Sequence, residues 1–252
     1  MKSYDFIVVG GCSAGIVAAI SAKRLNPNLK VAVIEKLPRI GKKLLATGNG
    51  KCNLTNLFAL EHDYTGKEFA SFALNKYNPE KIAEFFETLG LLCYSDSAGR
   101  VYPESNTAAS VVDALRFELE RLGVDVYCDT AVTDIKKKKD FVINGEFVCK
   151  KLLIAAGGKS SPSQGSDGSG YALAKMLGHS VTKLYPALVP LCASPEITKP
   201  MKGVRVRNVN LTLKGDKKFA QTNGEILFAE GGLHGLFGLG FLCFLDALHT
   251  VL

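Results

Sequence analysis

The chain opens with two short apolar runs separated by a stretch of helical character. Residues 4–9 and 31–34 are rich in β-branched side chains, as is typical of strands buried on both faces of a sheet. Residues 14–25 favour a helix, and the Asn-Pro-Asn sequence at 26–28 ends it. The first 35 residues therefore predict one βαβ unit.

Glycines mark the turn between the first strand and the helix. Gly10, Gly11 and Gly15 would permit a tight turn, let a pyrophosphate approach the backbone and leave the amides of the helix N-terminus to meet its charge. Glu35, about 20 residues beyond the last glycine, is placed to accept hydrogen bonds from ribose hydroxyls. Because a carboxylate repels a 2′-phosphate, the pattern predicts an unphosphorylated adenosine ribose, as in FAD or NAD. Cys12 replaces the middle glycine of G-x-G-x-x-G, and a Rossmann turn kept only for packing is the alternative.

The middle of the chain continues the alternation of helices and strands. Two apolar stripes of helical period and several short strand patterns follow one another, and Asn144-Gly145 is a strong hairpin signal. The predicted helices are 79–89 and 107–122; the predicted strands are 124–128, the surroundings of 132–135, a pair turning at 144–145, and 151–156; a hairpin is predicted over 91–103. From residue 187 the pattern changes, and 204–215 alternates with period 2, which predicts a strand of a second domain.

Composition and charge limit the classes of function. The 252 residues are 47% hydrophobic, enough for a core, and the net charge of +7 comes partly from a lysine run at 136–139 that is typical of a solvated turn. The seven cysteines show no CxxC pair and no metal-ligand spacing, which predicts reduced thiols, no metal site and a cytoplasmic protein. We expect no signal peptide and no nucleic-acid partner.

Residues 36–56 contain too many glycines and polar residues for a regular element. Exposed amides at Gly48 and Gly50, together with lysines and asparagines, could bind a pyrophosphate or the edge of a flavin. The alternative is an Asn/Gly-rich turn with solvated lysines. Residues 47–56, TGNGKCNLTN, resemble the SGxGRCNxTN signature of the HI0933-like flavoproteins, also called the YhiN or BaiN type. The segment IGKKLL at 40–45 matches the usual lead-in, and further similarity covers 99–115, 152–179 and 185–191.

This resemblance implies an α/β fold, namely a Rossmann-like FAD-binding domain of the glutathione-reductase type with the start of an inserted, mainly β domain. We predict the FAD-binding domain over 1–186 and the partial insert over 187–252. The implied activity is NAD(P)/FAD-dependent oxidation and reduction, with NAD(P)H as reductant and a small organic molecule as substrate. By resemblance, the backbone near Val132 faces the adenine. The predicted cofactor-binding residues are Gly10, Gly11, Ser13, Ala14, Gly15, Glu35, Lys36, Lys43, Gly48, Asn49, Gly50, Lys51, Cys52, Asn53, Val132, Ala156, Gly157 and Gly158.

The sequence predicts no catalytic acid or base. Asp167 could bond a ribityl chain or cap the helix that begins near Gly168, and His179 fits a surface position better than a proton donor. Cys52 fits a structural thiol packed beneath its loop.

The last residues depart from the family pattern. Residues 235–252 are apolar except at three positions, but Asp246, the central glycines and the absence of flanking basic residues weigh against a membrane helix. Family members continue well beyond this point, so we expect a truncated or altered end. A nucleotide-binding fragment without turnover and a tRNA-modifying type of flavoprotein therefore stand as alternatives to the enzyme.

Overall fold

The computed structural model describes residues 1–59, 64, 67–185, 191–214, 219–230 and 232–236. The chain divides into two compact units, Met1–Val181 and Thr182–Leu252. The domain boundary predicted between 186 and 187 falls outside the described residues and stays a prediction.

The first unit alternates strands and helices. In chain order it contains β1 (Lys2–Val9), α1 (Ser13–Leu25), β2 (Val31–Ile34), β3 (Thr55–Asn56), α2 (Lys67–Lys76), α3 (Pro79–Glu87), β4 (Cys93–Ser95), β5 (Arg100–Pro103), α4 (Ala108–Arg121), β6 (Asp125–Tyr127), β7 (Ile135–Lys137), β8 (Phe141–Ile143), β9 (Phe147–Ile154) and α5 (Ser169–Met176). Short 3-10 turns occur within Leu44–Gly50 and at Pro162–Gln164.

The main sheet has six strands in the order β6-β2-β1-β9-β8-β7. Strand β1 runs parallel to β2 on one side and to β9 on the other, and β6 is parallel to β2. The carboxyl ends of these strands therefore meet at one edge of the sheet, which is where doubly wound folds bind ligands. Strands β8 and β7 continue the sheet in the antiparallel sense. The predicted βαβ unit and Rossmann-like fold are confirmed.

The alternation of side chains along β1 divides the core into two clusters, one on each face of the sheet. Val8 packs with residues of α1 and α4, including Ile16 and Leu115. Ile7 and Val9 pack on the other face with Phe147 of β9. Because both faces are covered, β1 and β2 carry continuous apolar sequence, which is why they could be predicted.

Side-chain caps define where two of the predicted helices begin. The side chain of Asn78 accepts a hydrogen bond from the backbone N–H of Lys81 at 3.1 Å, and Pro79 occupies the first turn of α3. Thr107 caps α4 through the N–H of Ala109. The predicted helices over 79–89 and 107–122 are confirmed to within two residues.

Two local predictions were wrong or incomplete. The strand expected around 132–135 begins only at Ile135, because the side chain of Asn144 accepts the backbone N–H groups of Thr133 and Asp134. The strand expected at 151–156 is the second half of β9, which runs on from the hairpin turn. Helix α2 was not predicted, since its large apolar residues are exposed and show no buried stripe; Phe69 is 95% exposed.

The second unit is mainly β. It contains β10 (Leu191–Cys192), α6 (Pro195–Thr198), β11 (Arg205–Lys214), β12 (Phe219–Ala229) and β13 (Gly232–Leu236). These strands form an antiparallel sheet in the order β10-β13-β12-β11. The predicted strand over 204–215 is confirmed as β11, with a bulge between Val206 and Val209 at which Asn208 has φ 55°. Of the apolar segment 235–252, only residues 235 and 236 are described.

Candidate functional site

A cleft of about 470 Å³ opens at the carboxyl ends of β1, β2 and β9. It lies above Val9 and Ile34 and is bounded on the β9 side by Ala155. Ten of the eighteen predicted cofactor-binding residues line it: Gly10, Gly11, Ser13, Ala14, Glu35, Lys36, Lys43, Val132, Ala156 and Gly157. The sheet thus brings together residues from four separate stretches of sequence.

The glycines of the turn are required by close approach of the backbone. Gly10 has φ 110°, and a Cβ there would overlap the carbonyl oxygen of Ala155. A Cβ on Gly11 would lie 2.6 Å from a methyl carbon of Ile40. Gly15 does not line the cleft, but a Cβ there would overlap the carbonyl oxygen of Gly10, so it lets α1 pack against the turn. The turn therefore folds only with small residues at these positions.

Cys12 explains why the fingerprint tolerates a residue other than glycine. It is the N-cap of α1, with an extended backbone (φ −113°, ψ −168°) that any residue can adopt. Its carbonyl accepts the first helical hydrogen bond from Ile16 at 2.9 Å, and its side chain makes no cap. First-turn residues Ser13 and Ala14 line the cleft, so the positive end of the helix dipole faces it.

Glu35 fastens β2 to the glycine turn. One carboxylate oxygen accepts a hydrogen bond from the N–H of Gly11 at 2.7 Å, and the other accepts one from Leu37 at 2.9 Å. The side chain is buried at the cleft wall. Because each carboxylate oxygen has more than one acceptor position, Glu35 keeps capacity for hydroxyl donors in the cleft.

Lysines connect the two rims of the cleft. We call residues 36–43 the lysine loop and residues 158–168 the serine loop. Lys36 pairs with Asp167 at 2.8 Å, and Lys43 donates to the hydroxyls of Ser160 at 3.3 Å and Ser166 at 3.1 Å. Lys42 reaches a carbonyl oxygen of the serine loop at 3.3 Å. The hydrogen bond from Lys36 and those that Asp167 accepts from Ser169 hold the pKa of Asp167 well below its usual range.

The loop at 48–53 lies outside the cleft lining, and only Thr47 of this region reaches it. Gly48 and Asn49 both have φ 55°, and a Cβ on Gly48 would lie 3.3 Å from the ring of Tyr102. Cys52 is buried with φ 59°, and burial raises the pKa of its thiol. It is a packed thiol, as expected. The proposed cofactor contacts of this loop and of Gly158, which packs near Tyr171, stay predictions.

Several lining residues were not predicted from the sequence. They come from the lysine loop, the segment before β7, the serine loop and the first residue of α5: Arg39, Thr130, Ala131, Thr133, Gln164, Gly165, Ser166 and Ser169. Lys42, one of the lysines of 36–56, and Asp167, for which a ribityl contact was an open alternative, also line the cleft. The predicted residue Val132 lies in the segment before β7, and Asn144 holds that segment by donating to the carbonyl of Ala131 at 2.7 Å. The side chains at 160–169 carry no local pattern that links them to Lys36; the pairing depends on the fold.

Asp167 and His179 have structural roles at the two ends of α5. Asp167 accepts the N–H of Ser169 at 3.0 Å and so stabilises the start of the helix, in addition to its ion pair. His179 is exposed, and its N–H bonds the carbonyl of Ala174 at 3.1 Å after Gly178 at φ 88°, which closes α5 with a Schellman motif.

The described residues offer neither a metal site nor a membrane-spanning helix. Among the described residues, no group of three or more His, Cys, Asp or Glu side chains could hold a metal ion. No helix of the described ranges is both long enough and apolar enough to cross a membrane.

The fold defines a Rossmann-type domain with a cleft at the carboxyl ends of its parallel strands. The family model described as the HI0933-like protein Rossmann domain matches residues 4–238, and the chain belongs to this family. The resemblance predicted from residues 47–56 is thereby confirmed.

Similar proteins agree with this assignment. The chain is 40% identical over 235 residues to a 3-dehydro-bile acid delta(4,6)-reductase of Clostridium scindens, with 91% of this chain and 57% of the relative covered. It is 27% identical to a ribosomal RNA dihydrouridine synthase of Escherichia coli, with 93% of this chain and 59% of the relative covered. The chain thus spans a little over half the length of these relatives. A flavocytochrome c3 fumarate reductase structure superposes with a TM-score of 0.56 at 17% identity, covering 82% of this chain and 47% of the other, which supports the fold.

Proposed function

We propose that this chain binds FAD in the cleft at the carboxyl ends of β1, β2 and β9. The observation that carries the proposal is the meeting of the glycine turn, the N-terminus of α1 and the buried Glu35 around one cavity. These are the groups that a diphosphate and a ribose require.

The residues present fit such a group. Gly10 and Gly11 line the cleft without side chains of their own, and Ser13 and Ala14 present the helix N-terminus to it. The volume of about 470 Å³ falls within the range of small-molecule sites. Glu35 would hold the adenosine ribose, and Val132 would form part of the adenine wall. Lys43 would supply positive charge beside the phosphates, and Lys36 would form part of the cleft wall.

We further propose that the whole protein is an oxidoreductase that reduces a small organic substrate with NAD(P)H. A bound flavin would supply hydride transfer, and the protein would supply binding, orientation and exclusion of water. Support comes from the family and from relatives named as a bile acid reductase and as a dihydrouridine synthase. No described side chain is assigned as an acid or base, so the chemistry is attributed to the cofactor.

The test is the visible spectrum of the purified protein, followed by release of the flavin by heat and its identification by chromatography. The proposal expects FAD near one per chain, or tight uptake of added FAD by a colourless preparation. A protein that is colourless and refuses added FAD would contradict it. Bound FAD without oxidation of NADH or NADPH by any acceptor would favour a nucleotide-binding fragment over an enzyme.

A second candidate is a flavoprotein that modifies RNA. It is favoured by the relatives named ribosomal RNA dihydrouridine synthase, which match 93% of this chain. This function expects RNA binding whose affinity falls steeply with salt, because phosphate contacts release counterions. Titration of fluorescent ribosomal RNA fragments at two salt concentrations tests it, with a protein of equal net charge as the control.

A further inference from the structure

Lys36 occupies a position that influences whether a dinucleotide site accepts a ribose with a 2′-phosphate. It follows Glu35 directly and lines the same cleft. In Rossmann sites an acidic residue at the end of the second strand selects a plain ribose, whereas a nearby cation accommodates a 2′-phosphate. This chain carries both kinds of residue side by side.

The structure shows which groups the Lys36 side chain contacts. The Nζ atom of Lys36 lies 2.8 Å from a carboxylate oxygen of Asp167 and 3.4 Å from the hydroxyl of Ser169. Its aliphatic stem passes Gly165, where a Cβ would lie 3.5 Å from the Lys36 Cε atom. The ammonium group is therefore held at the serine loop, while Glu35 is held by the N–H groups of Gly11 and Leu37.

Among the described lysines of the lysine loop, Lys36 has a carboxylate partner, whereas the others bond neutral groups. Lys43 donates to Ser160 and Ser166, and Lys42 donates to a carbonyl oxygen. Asp167 is itself oriented by the N–H of Ser169 at the start of α5. Its position is thus fixed by a helix rather than by Lys36 alone.

We propose that Asp167 is a positioning residue for dinucleotide selectivity. By holding the Lys36 ammonium at the serine loop, it keeps that charge from a 2′-phosphate, so that Glu35 alone sets the preference for an unphosphorylated ribose. This inference rests on the proposed dinucleotide site. It assigns Asp167 a role in selectivity that neither capping of α5 nor a contact with a ribityl chain would produce.

The experiment compares ADP-ribose with 2′-phospho-ADP-ribose, which differ only in the 2′-phosphate, by calorimetric titration of the flavin-free full chain. Wild type should prefer ADP-ribose. Asp167→Asn should shift the ratio of the two dissociation constants by about 3- to 10-fold toward the phosphorylated ligand, the range of a partly exposed charge contact. Asp167→Glu should keep the wild-type ratio. The double variant Asp167→Asn with Lys36→Met should lose the gain, because the freed ammonium is then absent.

Each outcome decides the matter. An unchanged ratio in Asp167→Asn with ADP-ribose binding intact would overturn the role of Asp167 and leave the dinucleotide site standing. Lys36→Met alone should leave the wild-type ratio unchanged; a loss of 2′-phospho-ADP-ribose binding in this variant would show that Lys36 already reaches the ribose, and so also overturn the inference. Failure of wild type to bind either ligand or FAD would remove the proposed function and this inference together.

Discussion

The carboxylate of Glu35 accepts the backbone N–H of Gly11 at 2.7 Å, which ties the end of β2 to the turn after β1. Its other oxygen accepts the N–H of Leu37 at 2.9 Å. The residue expected to recognise a ribose is thus also a structural part of the turn that would hold the diphosphate. Stability and cofactor binding should therefore change together when it is altered.

The first prediction concerns this double role. Glu35→Ala leaves the N–H of Gly11 without its partner in a buried setting, which should lower the free energy of unfolding by about 1 to 3 kcal/mol. Glu35→Gln keeps one acceptor oxygen and should cost less stability, but should weaken FAD binding by about tenfold through the lost charge. Urea denaturation and flavin fluorescence titration measure the two effects. Glu146→Gln, at an exposed ion pair with Lys2, is the control and should change neither. FAD affinity unaltered in both Glu35 variants would contradict the ribose assignment.

The second prediction concerns Gly15, which does not touch the cleft. Alanine is favoured over glycine within a helix by about 1 kcal/mol, so propensity alone predicts stabilisation. Because the added Cβ would overlap the carbonyl oxygen of Gly10, we expect Gly15→Ala instead to cost about 3 kcal/mol or more and to abolish FAD uptake. The control is Gly123→Ala, where a Cβ meets nothing within 4 Å but φ is 65°; it should cost about 1 to 2 kcal/mol and spare FAD uptake. Thermal unfolding of both variants decides; a Gly15→Ala protein as stable as wild type would refute the packing argument.

Features that depend on neighbouring residues could be predicted from the sequence, whereas contacts between residues far apart in the sequence could not. The βαβ unit was predictable because its signals are local: apolar runs, a glycine turn and Glu35 lie within the first 35 residues. The pairing of Lys36 with Asp167 joins residues more than 100 positions apart, and no periodicity connects them. The 48–53 loop has a conspicuous local sequence, yet sequence alone could not show that the turn at Gly48 lies beside Tyr102 and outside the cleft lining.

Asn144 combines a local signal with a long-range role. Its hairpin turn was predicted, and Asn144 and Gly145 have φ 50° and 67°, as that turn requires. Its side chain, however, accepts the N–H groups of Thr133 and Asp134 and donates to the carbonyl of Ala131. These three hydrogen bonds hold the segment that contains Val132 in place at the cleft wall. A turn pattern in the sequence does not predict them.

The third prediction separates these two roles of Asn144. Asn144→Gly keeps the left-handed backbone but removes the three side-chain bonds, so it should lower the free energy of unfolding by about 1 to 3 kcal/mol. It should also increase amide hydrogen exchange over 131–134 and weaken FAD binding by about threefold to tenfold, as one wall of the site loosens. Gly145→Ala strains the turn without removing those bonds and should cost about 1 to 2 kcal/mol while leaving exchange over 131–134 unchanged. Equal exchange in the two variants would contradict the assigned role.

The fourth prediction concerns pH and the buried Glu118 of α4. Arg121 donates to its carboxylate at 2.6 Å and Arg24 of α1 at 2.8 Å, so the pKa of Glu118 lies below its usual range. A carboxyl group with a depressed folded-state pKa binds fewer protons in the folded than in the unfolded chain. Its contribution is therefore complete above the ordinary glutamate pKa of about 4.3 and is lost as the pH falls through the lower folded value.

We therefore expect Glu118→Gln to lower the free energy of unfolding by about 1 to 2 kcal/mol at pH 7. This figure is reduced because the Arg121 side chain is exposed. The loss should become smaller as the pH falls below about 4.3. Urea denaturation at pH 7, 4 and 3 measures it. Glu120→Gln, on the exposed side of the same helix, removes an ion pair with Arg116 and should cost less than about 0.5 kcal/mol at every pH. If the cost of Glu118→Gln were constant from pH 7 to pH 3, the charge of Glu118 would not contribute to stability. The contact between α1 and α4 would then depend on apolar packing, to which Ile16 and Leu115 belong, and not on the ion pair.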